Sequence, residues 1–214
     1  QEYAPERVIE VTDLVNQVET YINDKKDYIN ARNQAELAVQ KAREGIDATK
    51  REKSKEQISL IEALIVEAME EGAELYAPEQ LKEVNGLYDS LTADFQENRF
   101  DKVLLTADVL KPKAEQLVFA TKKAAANGRI EKLVGTIGEL TEAGVQEYLP
   151  GRIDVLQEML TKSRTEFQKN TNEAFDQIKQ ISQDALSEEN KIRGAFNDLA
   201  QEEIRKTGDQ LDKT

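Results

Sequence analysis

Apolar residues recur along this chain at the spacing of an α-helix, in three stretches that share one register. Counted from Tyr3, Tyr76 and Tyr148, the shared positions lie 5, 8, 11, 15 and 19 residues further on. Such spacings of three and four residues place the side chains on one face of a helix. The pattern therefore predicts three copies of one amphipathic helix, since fourteen of the fifteen positions are apolar. The positions are Val8, Val11, Leu14, Val18 and Ile22, then Leu81, Val84, Leu87, Leu91 and Phe95, then Ile153, Leu156, Met159, Ser163 and Phe167.

A second helical stripe, rich in alanine, follows a short polar stretch in every copy. Small side chains at each turn allow a neighbouring helix to approach closely, and short polar loops join antiparallel neighbours. The stripe comprises Tyr28, Ala31, Ala35, Ala38 and Ala42, then Phe100, Val103, Ala107, Leu110 and Ala114, then Ala174, Ile178, Ile181 and Ala185. Each copy is therefore predicted to contain a helical hairpin.

A third stripe leads from the hairpin to the next tyrosine in the first two copies. It comprises Ile58, Ile61, Ile65, Ala68 and Gly72, then Ile130, Leu133, Ile137, Leu140 and Gly144. In the second copy, Asn127-Gly128 predicts a break before this stripe, because glycine readily adopts the left-handed conformation that ends a helix. In the first copy, Ser54 and Gln57 suggest a capping box, but an unbroken helix through this region is the alternative.

These stripes predict an all-α fold: an elongated array of antiparallel helices built from three repeats of about 72 residues. The repeats span residues 1–75, 76–147 and 148–214, and the third ends in a polar tail that would cap the array. Eight helices are expected, near residues 5–22, 26–52, 55–75, 78–96, 99–126, 129–147, 150–169 and 172–210.

A short motif opens each repeat. Tyr3-Ala4-Pro5-Glu6 recurs as Tyr76-Ala77-Pro78-Glu79 and, with two substitutions, as Tyr148-Leu149-Pro150-Gly151. Proline suits the first turn of a helix, where its missing N–H is not needed. The tyrosine just before the helix can pack across the junction, much as in a hydrophobic staple. We therefore predict structural roles at the repeat joints; a row of tyrosines facing a ligand is the alternative. The joint residues are Tyr3, Pro5, Tyr76, Pro78, Tyr148 and Pro150.

Composition excludes several function classes. The formal net charge of −13 argues against nucleic-acid partners and against adsorption on anionic lipid, since both require clustered Lys and Arg. No apolar run approaches the ~20 residues of a transmembrane helix. Cysteine and histidine are absent from the chain, which excludes thiol nucleophiles, histidine acid–base chemistry and common zinc sites. We predict no catalytic, cofactor-binding or metal-binding residues and no cofactor.

Two charged clusters invite a functional interpretation. Glu67, Glu70, Glu71 and Glu74 lie on about two helical turns, but the loop spacing of a calcium site is missing, so a solvated face is favoured over a cation site. The stretch 50–55 carries four basic residues, which a solvent-exposed helix with interleaved glutamates explains better than an acidic partner or lipid does.

The opening motif, followed by an alanine-rich second helix, resembles a known class of helical repeat. This is the Tyr-Ala-Pro-Glu helical-hairpin family, a tetratricopeptide-like unit of bacterial envelope proteins and lipoproteins. Residues 3–42 and 76–114 match the pattern, whereas residues 148–185 depart from it at Leu149 and Gly151. The resemblance implies a periplasmic or envelope location and a scaffold or binding role. The family offers no catalytic residues to transfer.

The leading hypothesis is a non-enzymatic scaffold or protein-binding module of the bacterial envelope, with a protein or peptide partner. The alternatives are an amphipathic-helix lipid-binding protein, whose stripes would open onto lipid, and an enzyme that uses carboxylates alone. Gln1-Glu2 opens the first repeat without an initiator methionine, which suggests either a removed signal peptide or a trimmed chain. A lipid anchor upstream would fit the first of these two interpretations.

Overall fold

The computed structural model describes the backbone of residues 5–211 and the side chains of residues 5–207. This part of the chain folds into eight helices and contains no strand, so the prediction of an all-α fold is confirmed. The helices are α1 (Pro5–Asn23), α2 (Tyr28–Glu70), α3 (Ala73–Tyr76), α4 (Pro78–Gln96), α5 (Phe100–Glu142), α6 (Val145–Tyr148), α7 (Arg152–Lys169) and α8 (Asn172–Leu211). Tyr3 lies outside the described residues.

The two long helices α2 and α5 each join segments that the sequence had suggested were separate. Ser54 lies inside α2 with a buried side chain, so it caps no helix and the predicted boundary near residue 54 is wrong. The predicted break at Asn127-Gly128 is also wrong, because both residues lie inside α5. A glycine costs a helix only about 1 kcal/mol relative to alanine. Burial of the neighbouring Ala126 and Ile130 in one apolar cluster offsets that cost.

The helices actually end at two other glycines. Gly72 follows α2 with φ 91°, and Gly144 follows α5 with φ 74°. Both angles lie in the left-handed region, where any other residue is disfavoured. The one-turn helices α3 and α6 begin directly after these glycines. The predicted helices 55–75 and 129–147 are therefore each interrupted shortly before the tyrosine.

The hairpin turns also contain left-handed residues. Lys26, Asn98 and Asn170 have φ values of 55°, 58° and 54°, and they lie between α1 and α2, α4 and α5, and α7 and α8. Successive members of this set are 72 residues apart, as are Gly72 and Gly144. Residues with left-handed backbone conformation thus recur at the same spacing as the sequence pattern.

The third motif departs from the other two. Helices α1 and α4 begin at Pro5 and Pro78, whereas α7 begins at Arg152, two residues after Pro150. The Arg152 N–H donates to the Leu149 carbonyl at 3.2 Å, and Gly151 between them has φ 81°. Proline followed by a glycine of positive φ is typical of a type II turn. The substitution of Gly151 for glutamate therefore shortens the predicted helix 150–169 at its start.

The chain divides into two compact units, which are described one at a time. The first comprises residues 1–67 and 79–116. Within it, Lys113 of α5 pairs with Glu83 of α4 at 2.7 Å, and Lys50 of α2 pairs with Asp101 of α5 at 2.7 Å. Its buried apolar residues are Leu14, Ala31, Ala38, Ile61, Ile65, Leu81, Val84, Leu91, Val103, Ala107, Leu110 and Ala114.

The second unit comprises residues 68–78 and 117–214. In it, α7 and α8 form a hairpin that packs on the C-terminal part of α5. Rings of Phe119, Phe167 and Phe175 meet in one apolar cluster, at centroid distances of 5.5 and 5.8 Å from Phe175. The other cluster contains Leu133, Leu140, Val145, Ile153, Leu156, Ala185 and Ile192.

Candidate functional site

Two of the motif tyrosines, Tyr76 and Tyr148, lie within the described residues and contact neighbouring segments. A methyl group added at Gly72 would lie 3.3 Å from two ring carbons of Tyr76, and one at Gly128 would lie 3.4 Å from its hydroxyl oxygen. Tyr76 thus lies against α5 at the position where the sequence had suggested a helix break. Pro78 is the first residue of α4.

The corresponding tyrosine of the third motif has a different neighbour. The ring of Tyr148 meets that of Phe196 on α8 edge to face, with centroids 5.7 Å apart. Both Tyr76 and Tyr148 also remain partly exposed. The structural role of these two residues at repeat joints stays a prediction, while Tyr3 falls outside the described residues.

One member of the acidic cluster does not face solvent. The side chain of Glu71 is 7% exposed and accepts hydrogen bonds from Lys179 at 2.5 Å and from Arg129 at 3.0 Å. Burial acts to raise the pKa of Glu71, but the two cations outweigh that effect and leave the pKa lowered. The prediction of a solvated face is therefore wrong for Glu71, which connects α5 and α8 through an ion-pair network.

The remaining acids of this cluster do not converge. Glu70 and Glu74 are exposed, and Glu67 is half-buried. Throughout the part of the chain that the structure describes, no three acidic side chains come together in a way that could hold a metal ion. In the same part, no helix has both the length and the apolar character needed to cross a membrane.

Two of the cavities among the described residues differ in size. The smaller one, between α5 and α8, has a volume of about 100 Å³, and its lining includes Arg129, Lys132 and Glu189. The larger one is an open groove of about 420 Å³ between α1 and α2, entirely within the first unit. Typical small-molecule sites measure about 300–1,000 Å³, so only the second is large enough for a ligand or a helix face.

The α1–α2 groove combines an apolar floor with a charged rim. It is lined by Arg7, Val8, Val11, Thr12, Lys41, Ala42, Gly45, Ile46, Thr49 and Lys50. Val8 is 41% exposed and Ile46 is 53% exposed, so their apolar surface faces solvent. Gly45 allows the two helices to approach here, because a methyl group at this position would lie 3.2 Å from Cβ of Arg7.

Arg7 and Lys41, which line the groove, form an ion-pair network with Glu10 and Glu44. Arg7 pairs with Glu10 at 2.9 Å and with Glu44 at 3.8 Å, and Lys41 lies 3.4 Å from each of the two carboxylates. The hydrogen bond from Arg7 is the main cause of the lowered pKa of Glu10. For Glu44, the hydrogen bond from Gln40 is the main cause of the lowered pKa. Both carboxylates are thereby stabilised in the ionised form.

The sequence did not reveal this groove, because the stripe containing Val8 and Val11 was expected to be buried. One signal was available in the second helix of each hairpin. Gly45 and Ile46 occupy the positions that Leu117 and Val118, both buried, occupy 72 residues later. With glycine in place of leucine, the first hairpin has no side chain at a position that a buried side chain fills in the second.

Comparison with known proteins provides no assignment for this groove. No family model, no curated protein and no solved structure matches the chain.

Proposed function

We propose that this protein is a non-enzymatic helical-repeat scaffold that binds other proteins. Its architecture would be an array of three tetratricopeptide-like repeats of about 72 residues. The spacing of the left-handed residues supports this proposal: the hairpin turns at Lys26, Asn98 and Asn170, and the glycines Gly72 and Gly144, all recur at 72 residues. Repeat proteins commonly use such arrays to present binding surfaces.

The observation that carries the proposal is the open groove between α1 and α2. It exposes Val8 and Ile46 beside Val11 and Ala42, and charged side chains stand at its edge. Exposed apolar surface bordered by polar groups is characteristic of interaction sites. A groove between two helices can accept an amphipathic helix or an extended peptide from a partner.

The electrostatics of the groove favour binding over catalysis. A carboxylate enzyme needs one carboxyl group that stays protonated near neutral pH, which requires a raised pKa. Glu10 and Glu44 beside the groove instead have lowered pKa values, since each accepts hydrogen bonds while ionised. Their role in the proposal is to hold Arg7 and Lys41 in place.

The bacterial envelope is the proposed location. This part of the proposal rests on the resemblance of the opening motif to the envelope repeat family, with Tyr76-Ala77-Pro78-Glu79 as its best-described copy. Cell fractionation with an antibody against the chain tests it directly. We expect the protein in the periplasmic or membrane fraction, and recovery with cytosolic proteins would contradict the location without affecting the binding role.

Site-specific photo-crosslinking in the source cells tests the binding role. A photoreactive amino acid at Ile46 should give a discrete protein adduct, identified by mass spectrometry. The same amino acid at Val39, equally exposed at 53% on α2 but outside the groove, serves as the control. Equal labelling at both positions, or tight binding of a small metabolite by the purified protein, would contradict the proposal. A gain in helical content on addition of lipid vesicles would favour the lipid-binding alternative.

A further inference from the structure

The groove has a filled counterpart in the same chain. Val8 and Val11 lie 5 and 8 residues after Tyr3, as Ile153 and Leu156 lie after Tyr148. On the second helix of the hairpin, Ala42 corresponds to Ala185 at the end of the alanine-rich stripe, and Thr49 and Ile192 each lie seven residues further on. The stripes thus place these residues on corresponding faces of the two hairpins, in a second-helix register one residue shorter than the spacing between the turns at Lys26 and Asn170.

The burial of these positions differs between the two hairpins. Ile153, Leu156 and Ile192 are at most 3% exposed, whereas Val8 is 41% exposed. In the third hairpin they belong to one apolar cluster together with Leu133 and Leu140 of α5 and Val145 of α6, and Ile137 packs against the same cluster. A helix with aliphatic residues at spacings of four and three thus fills the groove of α7 and α8.

An ion pair accompanies this packing. Glu139, on the helix that fills the groove, pairs with Arg193 of α8 at 2.8 Å. Arg193 directly follows Ile192, as Lys50 directly follows Thr49 in the first hairpin. Lys50 lines the α1–α2 groove and pairs with Asp101, whose side chain is 75% exposed. The first hairpin therefore also has a cation on the corresponding face of its second helix, although the spacing of the turns at Lys26 and Asn170 pairs Arg193 with Thr49.

We propose that the α1–α2 groove binds an amphipathic helix of a partner protein that resembles residues 130–145 of this chain. The partner helix would place its aliphatic side chains over Val8, Val11 and Ile46. A glutamate directly before the last aliphatic residue of the partner helix would reach Lys50. This inference rests on the proposed protein-binding function and specifies the chemistry of the partner.

Two segments of a second copy are poor occupants of the groove. Its own residues 130–145 are occupied, since Leu133, Leu140 and Val145 are at most 7% exposed. The end of α8 offers one large aliphatic residue, Ile204, between residues 200 and 207. Neither segment presents a free aliphatic stripe with spacings of four and three.

The probe is a labelled synthetic peptide of residues 127–147, with Gly135→Lys closed as a lactam to Glu131 on the exposed face to stabilise the helix. Fluorescence anisotropy with the full chain should give saturable binding in the micromolar range. Ile46→Glu should weaken binding about tenfold or more, because it places a charge in the apolar contact. Val39→Glu should change binding by less than about twofold, since such peripheral contacts contribute little. Thermal unfolding followed by circular dichroism confirms that both variants are folded.

A charge swap tests the register. Lys50→Glu in the protein and Glu139→Lys in the peptide should each weaken binding about threefold or more, and the two together should restore it. Absence of peptide binding, equal effects of Ile46→Glu and Val39→Glu, or failure of the swap would overturn the inference. So would self-association, or adsorption on lipid vesicles, that Ile46→Glu abolishes. A groove-specific crosslink to an endogenous protein without peptide binding would leave the proposed function standing.

Discussion

The Glu71→Gln substitution tests whether the buried carboxylate stabilises the second unit. It keeps the shape of the side chain but leaves Arg129 and Lys179 without their shared anion. Removing one partner of a fully buried ion pair typically costs about 3–5 kcal/mol. The cost should be smaller here, because the side chains of Arg129 and Lys179 are 24% and 43% exposed and water can solvate them. Hydrogen bonds to charged groups contribute about 1.5–3 kcal/mol, so we expect a loss of about 1–3 kcal/mol in the free energy of unfolding.

Denaturant unfolding followed by circular dichroism measures this loss. Glu74→Gln is the matched control, because Glu74 is three residues away and exposed, and surface substitutions of this kind usually change stability by less than about 0.5 kcal/mol. If both substitutions had the same small effect, Glu71 would behave as a solvated acid, and the ion-pair network would not contribute to the free energy of unfolding.

The pH dependence of the same difference gives the sign of the interaction. The pKa of Glu71 is lowered in the folded protein, so its stabilising contribution is fully present above the unfolded glutamate pKa of about 4.3. The contribution is lost as the pH falls through the folded pKa, because the protonated carboxyl group no longer attracts Arg129 and Lys179. The gap between wild type and Glu71→Gln should therefore stay constant near neutral pH and shrink in acid. A gap that widens in acid would refute the assignment.

Two further predictions concern packing and backbone conformation. Leu91 is fully buried, so Leu91→Ala should cost about 2–5 kcal/mol of unfolding free energy. Leu87→Ala should cost roughly half as much, because Leu87 is only half-buried. Equal costs in denaturant titrations would contradict the burial pattern. Both Gly72→Ala and Gly144→Ala place alanine in the left-handed region, at about 1–2 kcal/mol each. Gly72→Ala should melt at the lower temperature of the two, because only its methyl group meets the Tyr76 ring, and identical melting temperatures would argue against that contact.

The sequence predicted helix positions well where the signal was local. The polar turns at Lys26, Asn98 and Asn170 and the proline starts of α1 and α4 follow from neighbouring residues, and the structure has them within about two residues. The glycines were harder to assign. Gly72 lies at the end of an apolar stripe and Gly128 lies just before one, and only the surrounding packing determines which of them ends a helix.

The errors at the candidate site share a physical cause, which is dependence on distant residues. Glu71 is surrounded in sequence by other acids, and its partners lie 58 and 108 residues away. Similarly, the stripe of α1 matches that of α7 in period, yet Val8 is exposed and Ile153 is buried. Periodicity shows which face of a helix is apolar. It does not show whether another helix covers that face.

The apolar stripe is exposed in α1 and buried in α7, and this difference should also appear as a difference in local stability. Among the described residues, α1 contains one buried residue, Leu14, whereas α7 contains Ile153, Leu156 and Ser163. Segments with few buried contacts open more readily than the core of a domain. Amides of α1 should therefore exchange with deuterium faster than those of α7, as measured by mass spectrometry on peptides from the two helices.

Filling the groove should remove part of that difference. Saturation with the peptide of residues 127–147 should slow exchange in α1 and leave α7 unchanged, because bound ligand stabilises only the state that binds it. In Ile46→Glu the same peptide concentration should slow exchange less, because the substitution weakens binding. Equal exchange in the two helices without peptide would show that α1 gains its stability from contacts other than burial of its apolar stripe. The open groove would then be an intrinsic feature of a stable hairpin, and a partner helix would no longer be needed to explain why the stripe of α1 is apolar.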